Sequence, residues 1–346
     1  MNPRLSVEQD IYLKPFPNFE RPKIIGCINV EHLKFVRHIC KDKVYYDLNI
    51  KLNEAIRKPE NLDVKLDNIL AFMLENERRL KLPSMECLKK SRFICYRGLL
   101  TCIACTPYEN NEPWKIAVTL FRGDIYLCAR DTPEKLNRIS NMTREDRKFS
   151  SWGYKFEQFM LSDTPTVEPN PDVPVNENDE FCLIFTTHLN RHCIIYGAEM
   201  DGIRCDKGSV HAPPVNDTSQ EKLIDYLSTK EFIELKTNKH MKFPVHMNNF
   251  MRYKTKKWWC QSFLVGINTI VCGCRNNAGI VEELKIYRVN ELAKMSRVSV
   301  LLWASYIRIC SIFRINLCVL SYHFKIKKKS YEIMVISRMI LPLSRF

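Results

Sequence analysis

Two apolar segments of the sequence are each followed by a pair of charged residues that lie two positions apart. Glu199 and Asp201 follow one apolar run, and Glu234 and Lys236 follow another. Because side chains two residues apart in a strand point to the same face, each pair should converge on one spot. We expect Gly202 to let the chain turn away after the first pair.

Two further segments supply groups of the same kind. Glu157 ends the motif Gly-Tyr-Lys-Phe-Glu on a predicted helix, and Gln261 follows two tryptophans and a cysteine. Three converging carboxylates with a fourth nearby would form a hard-oxygen site of the kind that suits Mg²⁺ or Mn²⁺. Two such ions about 3.5 to 4 Å apart stabilise the attacking and leaving oxygens of a phosphoryl displacement. Lys236 beside them could position the attacking water and offset charge in the transition state.

Each motif also has a simpler interpretation. Charged residues are common at strand ends, where they are solvated, and the motif at 153–157 could belong to an ordinary amphipathic helix. The combination is more informative than its parts, because both charged pairs follow apolar, strand-like runs. The pattern therefore favours a metal site of the type found in metal-dependent nucleases.

The elements that must position these residues alternate between strands and helices. We predict a mixed α/β (α+β) single domain, with mixed or antiparallel sheets flanked by helices. A proline-rich loop is expected at 162–180, since no regular element tolerates its four prolines. The predicted helices lie at 63–80, 143–161 and 258–266, and the predicted strands at 92–105, 114–120, 124–129, 181–187, 192–199, 231–236, 268–274 and 279–289.

In this order the motifs resemble those of the DXO/Rai family of RNA 5′-end decapping enzymes and exoribonucleases. The resemblance covers roughly residues 15–295 and implies a metal-dependent-nuclease-like core. No single motif is specific, but their order is. The motifs read YRG at 96–98, GYKFE at 153–157, EMD at 199–201, ELK at 234–236 and KWWCQSFLVG at 257–266.

The resemblance implies a role for each matching residue. Lys236 and Gln261 match residues beside the scissile phosphate and the attacking water, and Arg97 matches an arginine that contacts RNA phosphate. Two divalent ions are implied as cofactors. Their ligands would be Glu157, Glu199, Asp201, Glu234 and the carbonyl of Leu235.

The resemblance also implies an activity. Family members hydrolyse triphosphate, incompletely capped or NAD-capped RNA 5′ ends, and many degrade the uncapped RNA from 5′ to 3′. We therefore expect a nuclear role, which could extend to the cytoplasm, in RNA 5′-end quality control. A 5′-to-3′ exoribonuclease is a candidate partner, since fungal members bind one. The alternative is a catalytically weak module that binds RNA ends or that exonuclease, although all four carboxylates are retained.

The basic residues are unevenly distributed. The formal net charge is +14, and the segment 296–346 carries nine basic residues and one acidic residue. We divide the chain into a decapping nuclease domain at 1–295 and an atypical basic and apolar tail at 296–346 without family resemblance. RNA binding should then depend on local groups. One candidate patch combines Arg252, Tyr253, Lys254, Lys256, Lys257, Trp258 and Trp259. The alternatives are that the tryptophans belong to the core, as such residues more often do, and that the lysines form a solvated face.

Three further expectations follow from the sequence. The first residues lack the apolar run of a secretory signal, so the 15 cysteines should stay reduced. The apolar run at 298–320 contains Arg308 and Arg314, so no membrane span is expected. Where the family has Gly-Phe-Arg-Asp, this chain has Gly-Cys-Arg-Asn at 273–276, which should alter local packing or substrate contact rather than metal binding.

Overall fold

The computed structural model describes residues 18–39, 43–59, 64–80, 92–106, 113–206, 210–214 and 219–295, and the backbone of 321–326 and 329–335. Within these residues the chain forms two mixed sheets and eight α-helices. The strands are β1 (Lys23–Ile28), β2 (Phe35–Val36), β3 (Lys43–Asp47), β4 (Phe93–Tyr96), β5 (Lys115–Phe121), β6 (Asp124–Arg130), β7 (Leu161–Ser162), β8 (Cys182–Leu189), β9 (His192–Glu199), β10 (Gly202–Arg204), β11 (Phe232–Lys239), β12 (Thr269–Arg275), β13 (Ile280–Arg288), β14 (Ser321–Ile326) and β15 (Lys329–Val335). The helices are α1 (Asp67–Glu75), α2 (Arg97–Cys105), α3 (Pro133–Ser140), α4 (Arg144–Met160), α5 (Gln220–Ser228), α6 (Pro244–Asn249), α7 (Thr255–Phe263) and α8 (Val289–Met295), and a π-helical turn spans Phe250–Lys254.

The strands form two sheets, which are connected near the middle of the chain. Sheet A has the order β1-β8-β9-β4-β6-β5-β15-β14, and sheet B has the order β3-β13-β12-β11-β10-β2-β7. Both sheets contain parallel and antiparallel pairs, which confirms the predicted mixed α+β class. Between β9 and β10 the chain passes from sheet A to sheet B, so the acidic pair at 199–201 lies at the crossing.

Helix α4 packs closely on sheet B. Its start is fixed by a capping box, in which the Thr143 hydroxyl accepts from the backbone N–H of Asp146 and the Asp146 carboxylate accepts from Thr143. A Cβ on Gly273 of β12 would lie 2.5 Å from the ring of Phe156. The missing side chain therefore lets the helix approach the sheet, which brings Glu157 to the neighbouring strand β11.

The core of the described part lies against both sheets. One cluster spans residues from both sheets and helices α2 and α7, and it includes Tyr196, whose hydroxyl donates to the carbonyl of Leu264. A second cluster lies between α4 and sheet B and includes Trp152 and Phe156. Burial of each such side chain contributes about 1.5 to 3 kcal/mol, so α4 is held firmly where it carries the site.

Most predicted elements are present, but the strand predicted at 92–105 is wrong beyond its first residues. Strand β4 ends at Tyr96, and α2 begins at Arg97. The apolar residues Leu99, Leu100 and Ile103 lie on one helical face buried in the core. Continuous apolar runs do not distinguish a buried strand from a buried helix, which explains the error.

Gly202 also differs from its expected role. It begins strand β10 instead of turning the chain away. A Cβ there would lie 2.7 Å from a methyl carbon of Leu161 and 3.2 Å from the carbonyl oxygen of Lys34. The glycine is needed because neighbouring elements approach it closely.

Residues beyond Met295 contribute a strand pair to sheet A. Strand β15 runs parallel to β5, with Glu332 opposite Lys115 and Val335 opposite Val118. The apolar run at 298–320 lies outside the described residues. Among the helices of the described part, none combines the length and apolar character needed to cross a membrane. The division of the chain at Met295 stays a prediction.

Candidate active site

A cavity of about 460 Å³ opens between strand β11 and the helical segment formed by the π-helical turn and α7. Helix α4 contributes to the same cavity. Several predicted site residues lie in its wall, which is formed by Gly153, Glu157, Leu235, Lys236, Thr237, Tyr253, Lys254, Lys257, Trp258 and Gln261.

The open edge of β11 explains how Asp201 reaches this region. Strand β10 pairs with β11 only at Ile233 and Phe232. Beyond that point the Leu235 N–H of β11 donates to the Asp201 carboxylate at 2.5 Å instead of to a residue of β10. The N–H and C=O of one strand residue point to the same edge. The Leu235 carbonyl is therefore on the side of the acidic cluster.

Glu234 is the most firmly held carboxylate of the site. It is 1% exposed, and it accepts from Lys236 Nζ at 2.5 Å and from Arg97 Nη1 at 3.3 Å. Burial by itself would raise the pKa of Glu234, but the charges of Lys236 and Arg97 outweigh it and lower that pKa. The direct contact confirms that Glu234 and Lys236 share a face of β11.

Arg97 reaches Glu234 because it starts helix α2 directly after β4. Its side chain is buried, with 8% exposure, and its guanidinium pairs with Glu234. Lys236 is likewise stabilised in its charged form. Desolvation by itself would lower the pKa of Lys236, but Glu234 and Asp201 raise it.

The pKa values of the other three carboxylates are raised, because neighbouring acids and burial outweigh the positive charge near them. Burial, together with the charges of Asp201 and Glu199, raises the pKa of Glu157 well above its usual range. Burial and Glu234 raise the pKa of Asp201 to about 7. The pKa of Glu199 is raised by desolvation and by Glu180. Cations bound among like charges held together in this way would favour their ionised forms.

The chemistry of this donor set fits divalent metal ions. Carboxylate and carbonyl oxygens are the ligands that Mg²⁺ and Mn²⁺ take. The residues that would hold such ions are Glu157, Glu199, Asp201 and Glu234, with the carbonyl of Leu235. Within the described residues, no three acidic, histidine or cysteine side chains are already arranged around one metal position. Their roles as ligands stay predictions.

Helix α7 supplies the opposite wall. Lys257 and Gln261 are four residues apart, so they lie on one helical face, and both line the cavity. Trp258 and Trp259 are 6% and 7% exposed and belong to the core. Of the aromatic residues in the patch predicted at 252–259, Tyr253 is the exposed one that lines the cavity.

The structure also adds residues that the sequence reasoning missed. Thr237 lines the cavity, and the buried side chain of Asn238 accepts a hydrogen bond from Lys254 Nζ at 2.6 Å. The period of two that links Glu234 with Lys236 continues to Asn238, so the signal was present in the sequence. Lys254 could not be paired with Asn238 from the sequence, because the two lie 16 residues apart on different elements.

Cys95, Cys260, Cys272 and Cys274 are buried free thiols. Cys102 and Cys105, the only Cys-x-x-Cys spacing in the sequence, lie on helix α2. Cys274, where the resemblance implied a phenylalanine, is buried in the core, and Arg275 lies over the ring of Trp152 at 4.5 Å. The Arg275 contact concerns the packing of α4 on sheet B, whereas Cys274 belongs to the core cluster that includes residues of α2 and α7.

Comparison with known proteins is consistent with this geometry. A family model described as RAI1 like PD-(D/E)XK nuclease matches residues 27–334. The decapping and exoribonuclease protein Rai1 of Drosophila melanogaster is 32% identical over 299 residues, which cover 82% of this chain and 77% of the relative. The decapping and exoribonuclease protein of Bos taurus is 31% identical over 310 residues, covering 85% and 73%.

Solved structures share the fold. Candida albicans Rai1, in complex with pU5 and Mn²⁺, superposes with a TM-score of 0.67 at 18% identity, covering 87% of this chain and 83% of that one. Scheffersomyces stipitis Rai1, in complex with (3′-NADP)⁺ and calcium, gives 0.67 at 18% identity, covering 88% and 86%. The match to the family model spans most of the sequence, and it continues past Met295. The chain therefore belongs to the RAI1-like PD-(D/E)XK nuclease family.

Proposed function

We propose that this protein is a divalent-metal-dependent hydrolase of RNA 5′ ends. It removes incomplete caps, NAD caps or pyrophosphate from a 5′-triphosphate, and it then degrades the exposed chain from 5′ to 3′. The observation that carries the proposal is the cluster of Glu157, Asp201 and Glu234 beside Lys236, next to a cavity that Glu157, Lys236 and Gln261 line.

The acidic residues of this cluster would hold two Mg²⁺ or Mn²⁺ ions. Bound there, the ions neutralise the carboxylates, so that a phosphate can approach, and polarise its oxygens. The contacts of Glu234 with Arg97 and Lys236 keep it ionised and oriented for this task despite its burial. Asp201 is oriented by the Leu235 N–H.

The remaining polar groups act on the substrate. Lys236 presents a positive charge beside the reacting phosphate, where negative charge increases in the transition state. The Gln261 amide is suited to orient the attacking water, since it can both donate and accept. Arg97 lies at the edge of the same cluster and would contact an RNA phosphate.

Known relatives support the chemical class of the substrate. The relatives from Drosophila melanogaster and Bos taurus are named decapping and exoribonuclease proteins. Solved relatives carry a phosphorylated uridine chain with Mn²⁺ and a nicotinamide dinucleotide with calcium. A cavity of about 460 Å³ is within the range of small-ligand sites and so can admit one nucleotide.

For the cellular role we propose RNA 5′-end quality control in the nucleus, with a 5′-to-3′ exoribonuclease as a candidate partner. Removal of an unsuitable 5′ end produces the end that such an exonuclease consumes. A pull-down of the full chain with a purified 5′-to-3′ exoribonuclease would test the partner, and fractionation of cells would test the location.

The activity can be tested on one set of RNAs. The purified chain would be given RNAs with a triphosphate, an unmethylated cap, a methylated cap, an NAD cap or a monophosphate, each with Mn²⁺, Mg²⁺ or a chelator. We expect metal-dependent release of the 5′ group, and the measured rates would order the five kinds of 5′ end by preference. Binding of these RNAs without hydrolysis under any metal condition would contradict the proposal and would favour the binding module.

A further inference from the structure

Two cysteines meet where helices α2 and α7 pack together. Cys105 is the last residue of α2, and Cys260 lies within α7. Cys260 belongs to a core cluster that includes residues of both helices, and Cys105 packs against that cluster. The two thiols are in hydrogen-bond contact. The fold therefore places side by side two thiols that are far apart in the sequence.

The two thiols differ in their exposure. Cys260 is 2% exposed, whereas Cys105 is half-buried. The contact with Cys105, together with burial, raises the pKa of the Cys260 thiol well above its usual range. A proton lost from this pair therefore leaves Cys105, which is also the thiol that a small molecule can reach from solvent.

Lys256 favours a thiolate at Cys105. Desolvation and Arg252 lower the pKa of Lys256, and a negative charge on Cys105 opposes that shift. The attraction acts in both directions, so the ammonium stabilises the thiolate, as cations beside reactive cysteines do. It thereby opposes the dipole of α2, whose negative end lies at Cys105.

The cysteine pair joins two helices that carry residues of the candidate active site. Helix α2 begins at Arg97, which contacts Glu234, and α7 carries Gln261 directly after Cys260. A covalent bond would draw the sulfurs of Cys105 and Cys260 closer together than a hydrogen bond does. Helix α7 would then shift relative to α2, and Gln261 would move with it.

We propose that Cys105 and Cys260 form a site of oxidative modification, at which a hydroperoxide inactivates the protein reversibly. The Cys105 sulfur attacks one oxygen of the peroxide and the O–O bond breaks. Cys105 becomes a sulfenic acid, and the other oxygen leaves with the thiol proton as water or an alcohol. The Cys260 sulfur then attacks the sulfenic sulfur. An S–S bond forms, the S–O bond breaks, and the hydroxide leaves as water with the Cys260 proton.

Two other pairs of cysteines are less suited to this reaction. Cys272 and Cys274 contact each other on β12, but they are 0% and 2% exposed, so a peroxide does not reach them. Cys102 is exposed and lies one turn before Cys105 on α2. A bridge between those two would distort the helical turn that joins them, whereas Cys105 already contacts Cys260.

Mass spectrometry tests the modification independently of activity. The metal-free full chain would be treated with hydrogen peroxide, quenched with catalase, alkylated with N-ethylmaleimide and digested. We expect a peptide pair joined by a Cys105–Cys260 disulfide, which dithiothreitol separates. In Cys260→Ala the sulfenic acid on Cys105 has no thiol to attack it from α7, so it should be trapped by dimedone.

The activity measurement rests on the proposed function. After peroxide treatment and catalase, wild-type protein with Mn²⁺ should hydrolyse triphosphate RNA at least about tenfold more slowly, because small displacements of positioned groups are costly. Dithiothreitol should restore the rate. Cys105→Ser and Cys260→Ala should keep the untreated activity and lose little of it to peroxide. Cys102→Ser is the matched control, since it removes a more exposed thiol of the same helix and should respond as wild type does.

Several results would overturn the inference. They are the absence of the Cys105–Cys260 peptide pair, a disulfide between Cys102 and Cys105 in its place, a disulfide that leaves the activity unchanged, or an equal loss of activity in wild type and Cys105→Ser. A wild-type protein that forms the disulfide but hydrolyses no RNA of the 5′-end set, even when reduced, would instead contradict the proposed function and leave the modification site in place.

Discussion

The two walls of the cavity are built in opposite ways. The acidic wall consists of Glu157, which lines the cavity, and of Asp201 and Glu234, which contact the lining residues Leu235 and Lys236. Glu234 is held by Arg97 and Lys236, and Asp201 by the backbone of β11. The basic wall, formed by Tyr253, Lys254 and Lys257, is exposed and has one neutral partner, Asn238. This difference indicates that the acidic wall is arranged for a reaction at one fixed position, whereas the basic wall is suited to hold an RNA chain of variable sequence.

Neutralising one carboxylate should have the largest effect on activity. Asp201→Asn keeps the size of the side chain and an oxygen that can accept from the Leu235 N–H, but it removes charge from the metal site. We expect kcat/KM to fall by about a thousandfold, since loss of metal-based stabilisation costs several kcal/mol. The measurement is single-turnover hydrolysis of the best RNA found in the 5′-end set.

The same variant separates chemistry from stability. Because Asp201 lies half-buried among like charges, Asp201→Asn should make the metal-free protein more stable, and it should abolish the stabilisation by Mn²⁺ that we expect for the wild-type protein. Thermal unfolding with and without Mn²⁺ measures both effects. Activity within tenfold of wild type, or undiminished stabilisation by Mn²⁺, would remove Asp201 from the site.

Removal of Glu234 should have the largest effect on stability. Glu234→Ala leaves Arg97 and Lys236 without their carboxylate partner in the protein interior, and breaking a buried pair costs about 3 to 5 kcal/mol. The free energy of unfolding in denaturant measures this cost. The double variant Glu234→Ala with Lys236→Met should recover part of it. A cost below about 1 kcal/mol would show that the acidic wall is not held as the contacts indicate.

The smallest expected change lies at Gly153. A Cβ there meets nothing within 4 Å, although the residue lies inside helix α4 and lines the cavity. Gly153→Ala should therefore stabilise the fold by about 0.5 to 1 kcal/mol, because glycine is costly within a helix. It should also reduce activity several-fold, because the added methyl group occupies space that the substrate needs.

Gly98→Ala is the matched control for this variant. Gly98 also has open space at its Cβ position, but it lies on α2 outside the cavity lining. It should change activity little, in contrast to Gly153→Ala. Steady-state kinetics and denaturant unfolding of the two variants make the comparison, and equal activity in both would contradict a substrate role for the space at Gly153.

The pattern of alternating residues predicted a large part of this arrangement. The apolar runs before Glu199 and Glu234 predicted strands, and the period of two predicted that Glu234 and Lys236 share a face. The same reasoning was wrong for 92–105, since an apolar run fits a buried helix as well as a buried strand. It also assigned Gly202 to a turn, whereas close packing against Leu161 is the reason for the glycine.

By itself, the sequence determined which side chains could do the chemistry and which strands and helices carry most of them, because these follow from residue type and local periodicity. Tertiary structure alone decided that β10 leaves β11 early, so that Asp201 meets the backbone of Leu235. It also decided that Lys254 donates to Asn238, a residue on another element. These contacts join residues distant in the chain, and the packing of sheets and helices, which local pattern does not encode, brings them together.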